Sequence, residues 1–387
     1  MKISRKTWQQ ITSTTLIQTV LNTGFRMVFP FQPVLMKGFN INLAQITRMY
    51  AGQSLIGILS PLLASISDTR GRRTGMLAGL VLFSFGVFLV VIFPTPMGFF
   101  IFLVLSMMAK AIFDPSMLAY YGDIIPYQRR GFVFGIIEIS WSMSFFFGMP
   151  LVGYLLSRFG LLAPFILLAL LVMLAIVVIL FLIPADPKAR DHDQSPLANI
   201  AQVFRSGTAI AGLGVTLLIC TANQLINVVF GVWLNQSFGM QIAALGGASI
   251  VIGIAELIGE GGVSALADRI SIKRAVLLGT IGNILACGLL PILGRTNWGA
   301  YLGLFLFYLT FEITLVSLIP LMAGILPAAR GTVLALNIAS ANLGRGLGSL
   351  IAAPLFLGGF WISAFGAAIV NLLAIIVLRY VVVPKDH

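Results

Sequence analysis

Histidine and cysteine are nearly missing from this chain, which holds two of each in 387 residues. Cys220 and Cys287 lie in apolar runs, while His192 and His387 lie in a polar interval and at the carboxyl end. A metal site or a cysteine–histidine dyad needs converging ligands, and these positions promise none. The thiols read as buried structural groups, and neither a metal nor a cofactor is expected. Charge is scarce as well: 9% of residues are charged and 59% are hydrophobic, where soluble domains carry roughly a quarter charged residues. With a mean hydropathy of +1.02, a water-soluble globule is excluded. No glycine-rich phosphate loop ending in Lys-Ser or Lys-Thr occurs, so ATP is not the expected energy source.

What the chain has is apolar length. Leu161 to Ile183 contains no ionisable residue, and at about 1.5 Å per residue it crosses a hydrocarbon core of about 30 Å. Twelve such spans are expected, near 10–36, 43–66, 74–94, 98–122, 131–155, 161–183, 209–234, 243–266, 275–294, 299–325, 331–357 and 360–383. Helices are the default, because only helices and closed barrels satisfy their backbone in lipid and the alternation of barrel strands is absent. The first span follows the short basic tail Lys2, Arg5 and Lys6 without a small-residue cleavage site, so it is expected to be retained.

The net charge of +12 would point to nucleic acid in a soluble protein, but here the positions of the charges matter more. With the amino terminus inside, the inner segments hold most of the basic residues, and the outer loops and span ends hold Lys37, Arg48, Arg158 and Arg295. The positive-inside rule then places both termini in the cytoplasm. The basic balance reads as topology, and no nucleic acid is implied. Asn235-Gln236-Ser237 fits the glycosylation pattern, though such triplets are common by chance.

The longest polar interval divides the chain into an N-terminal six-helix bundle (1–183), a cytoplasmic linker (184–208) and a C-terminal six-helix bundle (209–387). The halves repeat. Asp68-Thr69-Arg70-Gly71-Arg72-Arg73 is answered by Asp268-Arg269-Ile270-Ser271-Ile272-Lys273-Arg274, and Arg130-Gly131 by Arg330-Gly331, both at an offset of 200 residues. Duplicated bundles of this kind rock around a central site in secondary transporters.

These features resemble the major facilitator superfamily over nearly the whole chain. Its loop between helices two and three stands here as Ala64-Ser65-Ile66-Ser67-Asp68-Thr69-Arg70-Gly71-Arg72-Arg73, with the leading glycine and first arginine altered. A second family feature appears as Pro115, Asp123, Pro126 and Arg130-Gly131. Pro30-Phe31-Gln32-Pro33 and Gly148-Met149-Pro150-Leu151-Val152-Gly153 resemble signatures of the family's drug and metabolite proton antiporters. The arginine those exporters carry in helix four is replaced here by Leu103-Val104. The resemblance implies an all-α membrane protein with twelve transmembrane helices in two pseudo-symmetric six-helix bundles. It also implies a gating set of Asp68, Arg72, Arg73, Asp123, Arg130, Gly331 and Asp268. Asp68 is expected at the amino end of helix eleven near Gly331, Arg72 or Arg73 beside Asp123, and Asp268 near Gly131.

Ionisable residues inside spans are the strongest functional candidates, since each costs about 2.5 to 3.5 kcal/mol at a helix centre unless partnered. Arg26, Lys110, Glu312 and Arg345 fall about 20 to 24 Å from the inner ends, and Asp114, Glu138 and Glu260 nearer 12 to 14 Å. A substrate site lined by Arg26, Lys110, Asn223, Asn227, Glu312 and Arg345 is expected at the midplane between the bundles. Arg26 is its leading residue, because a guanidinium holds carboxylate or phosphate bidentately. Asp114, Glu138, Glu256 and Glu260 are the candidates for proton coupling.

Other readings stand beside these. Lys110 and Asp114, spaced i,i+4, also suit a salt bridge that merely neutralises both. Glu138 also suits a brace between helices four and five. Arg345 lies among packing glycines and could pair with Glu312. Glu256 and Glu260 either share a proton or are split, with Glu256 on a basic partner and Glu260 beside Gly261 and Gly262.

A membrane enzyme would need a nucleophile with a base, or metal ligands, and the spans offer no histidine. A secondary transporter uses the duplicated bundles and the buried charges directly. The expectation is a proton-coupled exporter of a small amphipathic or anionic organic molecule, monomeric, in a prokaryotic inner membrane. Import or exchange of an anionic metabolite, and transport of a lipid or lysolipid, are the alternatives.

Overall fold

The computed structural model describes residues 4–63, 70–185, 196–266, 270–326 and 329–382, and every regular element among them is helical. The first span is broken into α1 (Arg5–Arg26) and α2 (Gln32–Phe39). Pro30 explains the break, because it has no N–H to give to the Arg26 carbonyl, which instead accepts from Phe29 at 3.1 Å. Spans two to four are α3 (Leu43–Ile56), α4 (Arg72–Ile92) and α5 (Pro96–Ile124). Gly71, which precedes α4, has φ 99°, a conformation that side chains with a Cβ rarely adopt. Span five is α6 (Tyr127–Met143), a wide π turn at Ser144–Gly148, and α7 (Met149–Phe159). Pro150 accounts for that turn, since a proline here lacks a donor and crowds the carbonyl four residues back. Span six is α8 (Ala163–Leu182).

The segment expected as linker contains α9 (Pro196–Arg205), whose Val203 is fully buried in an apolar cluster with Val215, Leu318 and Met322. Span seven is again broken, into α10 (Gly207–Asn227) and α11 (Phe230–Phe238). Spans eight to twelve are α12 (Ile242–Leu266), α13 (Ile272–Leu293), α14 (Asn297–Ile325), α15 (Arg330–Leu357) and α16 (Phe360–Leu378). Among the described residues, nine helices are long and apolar enough to cross a membrane by that measure alone. The expected spans one, two and eleven are not among them, and α3, at 14 residues, is too short.

Two compact units result. The first comprises Met1–Asn42, Leu59–His192 and Gln241–Gly253; the second comprises Leu43–Ile58, Asp193–Met240 and Ile254–His387. In the first, α4 packs along α5 and α8, and α1 packs against α6 and α8. Phe39 stacks on Phe99 with centroids 4.6 Å apart, and Phe102 meets Phe165 edge-on at 5.4 Å. In the second, α13 packs along α14 and α16, while α10 packs along α15 and α16. The same pairings recur because the sequence repeats: a Cβ at Gly79 would lie 2.8 Å from the Ala109 carbonyl, and one at Gly279 would lie 2.5 Å from the Thr314 hydroxyl.

Glycines set the closest approaches, as in other membrane bundles where small residues let backbones meet. Gly344 and Gly348 of α15 face the α10 backbone at Leu217 and Thr221, and Gly346 faces Leu55 and Ala51 of α3. Asn342 Nδ2 donates to the Gly57 carbonyl at 2.9 Å and fixes that α3–α15 contact. In the first unit Gly148 lies against Thr23, so α1 touches the π turn directly.

Gly344→Ala should therefore lower thermal stability in detergent, by about 1 to 3 kcal/mol as for other overpacked cores. Gly135→Ala, whose Cβ has nothing within 4 Å, should leave the melting temperature unchanged or raise it slightly, since alanine favours the helix. Equal melting temperatures for the two variants would contradict this packing.

Candidate functional site

Every fourth residue of α1 from Gln10 is polar: Gln10, Thr14, Gln18, Asn22 and Arg26. At 3.6 residues per turn these form one slowly winding stripe, and each is at most 8% exposed. The stripe faces inward within the first unit. Gln10 Nε2 donates to the Leu182 carbonyl at 2.9 Å, and the hydroxyls of Thr14 and Tyr121 lie 2.8 Å apart.

Gln18 and Asn22 enter a closed ring of side chains from α1, α5 and α6. Lys110 Nζ donates to Asp114 Oδ2 at 2.8 Å and to Asn22 Oδ1. Asn22 Nδ2 donates to Ser140 Oγ at 3.0 Å, Ser140 Oγ donates to Gln18 Oε1 at 2.9 Å, and Gln18 Nε2 donates to Asp114 Oδ1 at 3.3 Å. Lysine can only donate and an ionised carboxylate can only accept. Lys110 is thus the source of the ring and Asp114 its sink, with no donor or acceptor misplaced along either path. The i,i+4 pair is a real salt bridge, with side-chain exposures of 7% and 22%.

Arg26 closes the carboxyl end of α1, where a cation complements the helix dipole. Its Nη1 donates to the Trp141 carbonyl at 3.1 Å, beside the π turn, and its guanidinium lies 3.7 Å from the Phe145 ring centroid and 5.3 Å from that of Trp141. Lys110 Nζ lies 4.4 Å from the Trp141 centroid and 5.9 Å from that of Phe25. Two cations thus share one indole, an attractive but partial substitute for water. Glu138, half-buried on α6, interacts electrostatically with both Asp114 and Lys110. The structure brings Arg26, Lys110, Asp114 and Glu138 together.

The second unit carries Asn223, Asn227, Glu312, Arg345, Glu256 and Glu260. Tyr308 donates its hydroxyl to Asn227 Oδ1 at 2.7 Å, Asn227 Nδ2 donates to Gln224 Oε1 at 3.2 Å, and Gln224 Nε2 donates to Ser349 Oγ at 3.0 Å. Asn223 Nδ2 is buried without a hydrogen-bond partner, a costly state for a donor. Arg345 Nη1 reaches Asn342 Oδ1 at 3.4 Å, and both Arg345 and Glu312 act electrostatically on Cys220. Gly259 makes room for Glu312, whose Cβ would lie 2.7 Å from a Cβ there; nothing lies within 4 Å of such an atom at Gly261 or Gly262. Glu256 is buried and Glu260 half-buried, one turn apart on α12.

Of the expected gating set, Asp68 and Asp268 fall outside the described residues. Arg72 Nε lies 3.3 Å from Asp123 Oδ2, with side chains 22% and 63% exposed; such a pair contributes about 0 to 1 kcal/mol to stability. Arg73 does something else: its Nη2 donates to the Leu180 carbonyl at 2.6 Å, near the end of α8. Lys273 repeats this on the Val381 carbonyl at 2.6 Å, beyond α16. Arg130 Nε donates to the Ile125 carbonyl at 3.0 Å and Arg330 Nε to the Ala323 carbonyl at 3.1 Å. The repeated basic residues thus satisfy carbonyls at helix ends that have no intrahelical donor. Gly331 is the second residue of α15, with open space at its Cβ position.

Gln18, Asn22, Ser140 and Trp141 are site residues that sequence reasoning missed. The period-four polar stripe of α1 was visible and would have found the first two. Ser140 and Trp141 had no such signal, since their importance comes from facing Lys110 across helices.

A model of the Major Facilitator Superfamily matches residues 14–319. Two proteins of Bacillus subtilis (strain 168), both described as uncharacterized MFS-type transporters, are similar along most of their length. YwfA is 30% identical over 370 residues, covering 92% of this chain and 86% of its own. YceJ is 26% identical over 349 residues, covering 88% and 87%. Among solved structures, a mutant of the nucleoside transporter NupG superposes with a TM-score of 0.79 at 15% identity, covering 95% of this chain and 98% of that one. The human organic anion transporter MFSD10 (TETRAN) does so with a TM-score of 0.73 at 20% identity, with the same coverage. At these identities the likeness to the solved structures is one of fold.

Removing one member of this partly buried pair should cost more than removing both. Asp114→Ala leaves the Lys110 ammonium buried without its carboxylate and should destabilise the protein by about 3 to 5 kcal/mol, whereas Lys110→Met combined with Asp114→Leu should recover most of that loss. Thermal melts of the purified variants check this; a double variant no more stable than Asp114→Ala would contradict it.

Proposed function

Because this chain belongs to the Major Facilitator Superfamily, we propose that it moves a small amphipathic or anionic organic molecule across the membrane by alternating access, coupled to protons. The observation that carries this reading is the buried cluster of the first unit, where Arg26 and Lys110 are held with Asp114 and Glu138. Keeping four ionisable side chains inside a membrane helix bundle is costly, and such groups mark substrate and proton paths. In this reading Arg26 and Lys110 take the anionic group of the substrate, and Asn223, Asn227, Glu312 and Arg345 contribute from the other half. Asp114, Glu138, Glu256 and Glu260 carry the proton. The breaks after Arg26 and after Asn227, at matching places in the two repeats, support these assignments, because interrupted helices mark binding sites in transporters.

The proposal extends to the gating set of Asp68, Arg72, Arg73, Asp123, Arg130, Gly331 and Asp268. It includes halves of 1–183 and 209–387 joined by 184–208, a monomer, and a plasma membrane with both termini cytoplasmic. The basic excess in the inner segments supports the orientation.

Direction divides the proposal in two. The Pro30-Phe31-Gln32-Pro33 and Gly148-Met149-Pro150 segments support proton-driven export. The direct pairing of Asp114 with Lys110 supports import or exchange of an anionic metabolite, since an anion on Lys110 frees Asp114 to take a proton.

Proteoliposomes loaded with labelled benzoate, with and without a pH gradient, test both. An exporter drives benzoate against the proton flow, and a co-transporter drives it along that flow. Asp114→Asn should lose the gradient-driven component while keeping exchange at equal pH. If Asp114→Asn and Glu138→Gln both respond to the gradient as the parent does, proton coupling at this cluster fails.

A further inference from the structure

Five side chains close the ring around Lys110, and two of its members carry charge. From α1 the ring receives Gln18 and Asn22, with the charged Arg26 one turn beyond; from α6 it receives Ser140, with the charged Glu138 two residues before; from α5 come Lys110 and Asp114 themselves. Hydrogen bonds run from Lys110 to Asp114 by two routes, one direct and one through Asn22, Ser140 and Gln18. Each neutral member accepts on one side and donates on the other, so the long route has a direction.

We propose that this ring is a relay in which a proton arriving at Asp114 releases the Lys110 ammonium to an organic carboxylate or phosphate, so that proton and anion are bound together. Gln18, Ser140 and Asn22 are its positioning residues. The proposal rests on the anion branch of the functional reading and specifies how that site is opened.

The donor and acceptor inventory gives the sequence of events. A proton on Oδ2 of Asp114 faces the ammonium directly, donor against donor. A proton on Oδ1 faces the Gln18 amide nitrogen, and the amide turns to offer its oxygen. Gln18 then donates to Ser140, Ser140 donates to Asn22, and Asn22 turns its oxygen to Ser140 and its NH2 toward Lys110. Reversal can pass through an amide or a hydroxyl, but it stops at lysine, which has no acceptor. Both routes therefore end with Lys110 losing a partner. The rings of Trp141 and Phe25, both partly exposed, flank the ammonium and provide a surface for the apolar body of the anion.

The experiment is isothermal titration of naphthalene-1-carboxylate into the purified full-length protein in detergent, in two buffers of different ionisation enthalpy and over a range of pH. The parent should take up about one proton per anion, and its affinity should rise as pH falls, by up to about tenfold per unit. Asp114→Asn should show no proton uptake and a flat profile. Ser140→Ala cuts the long route and leaves the Lys110–Asp114 pair in place. It should show a shallower pH dependence of affinity than the parent, whereas Ser140→Thr, which keeps the hydroxyl, should restore it. A parent that binds the anion with no proton uptake overturns the proposal, as does Ser140→Ala with the parent's full profile while folded by gel filtration. Should Ser140→Ala fail to fold, Gln18→Met is read in the same way. Preference of the parent for 1-naphthylmethylammonium over the carboxylate defeats the anion reading itself, a result distinct from either of the others.

Discussion

An ammonium buried in a membrane helix bundle must be given its hydrogen bonds by neighbouring helices, and the first unit is organised around doing so for Lys110. Lys110 is buried, so its acceptors have to be built in. Asp114 supplies one from the next turn of the same helix and Asn22 supplies the other from α1. Asn22 then needs an acceptor for its own NH2, which is Ser140 on α6, and Ser140 needs one in turn, which is Gln18. The requirement closes only when Gln18 returns to Asp114. One buried charge thereby dictates polar residues on three helices, and the polarity of α1 at Gln18 and Asn22 follows from it.

The second unit repeats the scaffold and changes the chemistry. Its seventh span breaks after Asn227 as the first breaks after Arg26, and Lys273 occupies the helix-end carbonyls of its own half as Arg73 does. At the break, however, neutral amides replace the cation: Asn227, Gln224 and Tyr308 form a hydrogen-bonded chain without an ionised member. Charge in this unit is moved to Glu312, Arg345 and the α12 carboxylates. Duplication has preserved what the backbone needs, caps and close glycines, while the side chains facing inward have diverged.

Composition and periodicity were enough to read the helical class and the number and rough limits of the spans, because hydropathy averages over many residues. The 200-residue repeat was legible from a few charged positions, whereas the break in span one was not expected, although Pro30 stands at it. Less could be read about partners. Arg73 and Arg72 are adjacent and look interchangeable in sequence, yet one caps α8 and the other meets Asp123. Which does which depends on where two other helices end. The π turn at Ser144–Gly148 is likewise a tertiary outcome, with Thr23 of α1 packed against Gly148, and the helix within 184–208 was masked by its polar surroundings.

The ring holds only if Asn22 and Lys110 act as one unit, and a double-mutant cycle measures that directly. Stabilities of the parent, Asn22→Ala, Lys110→Met and the combined variant, taken from equilibrium unfolding in a single detergent, give the coupling energy. A ring closed through this contact predicts a coupling of about 1 kcal/mol or more between the two positions. Additive losses, with a coupling within about 0.3 kcal/mol of zero, would mean that the ring does not hold Lys110, and the account would be contradicted.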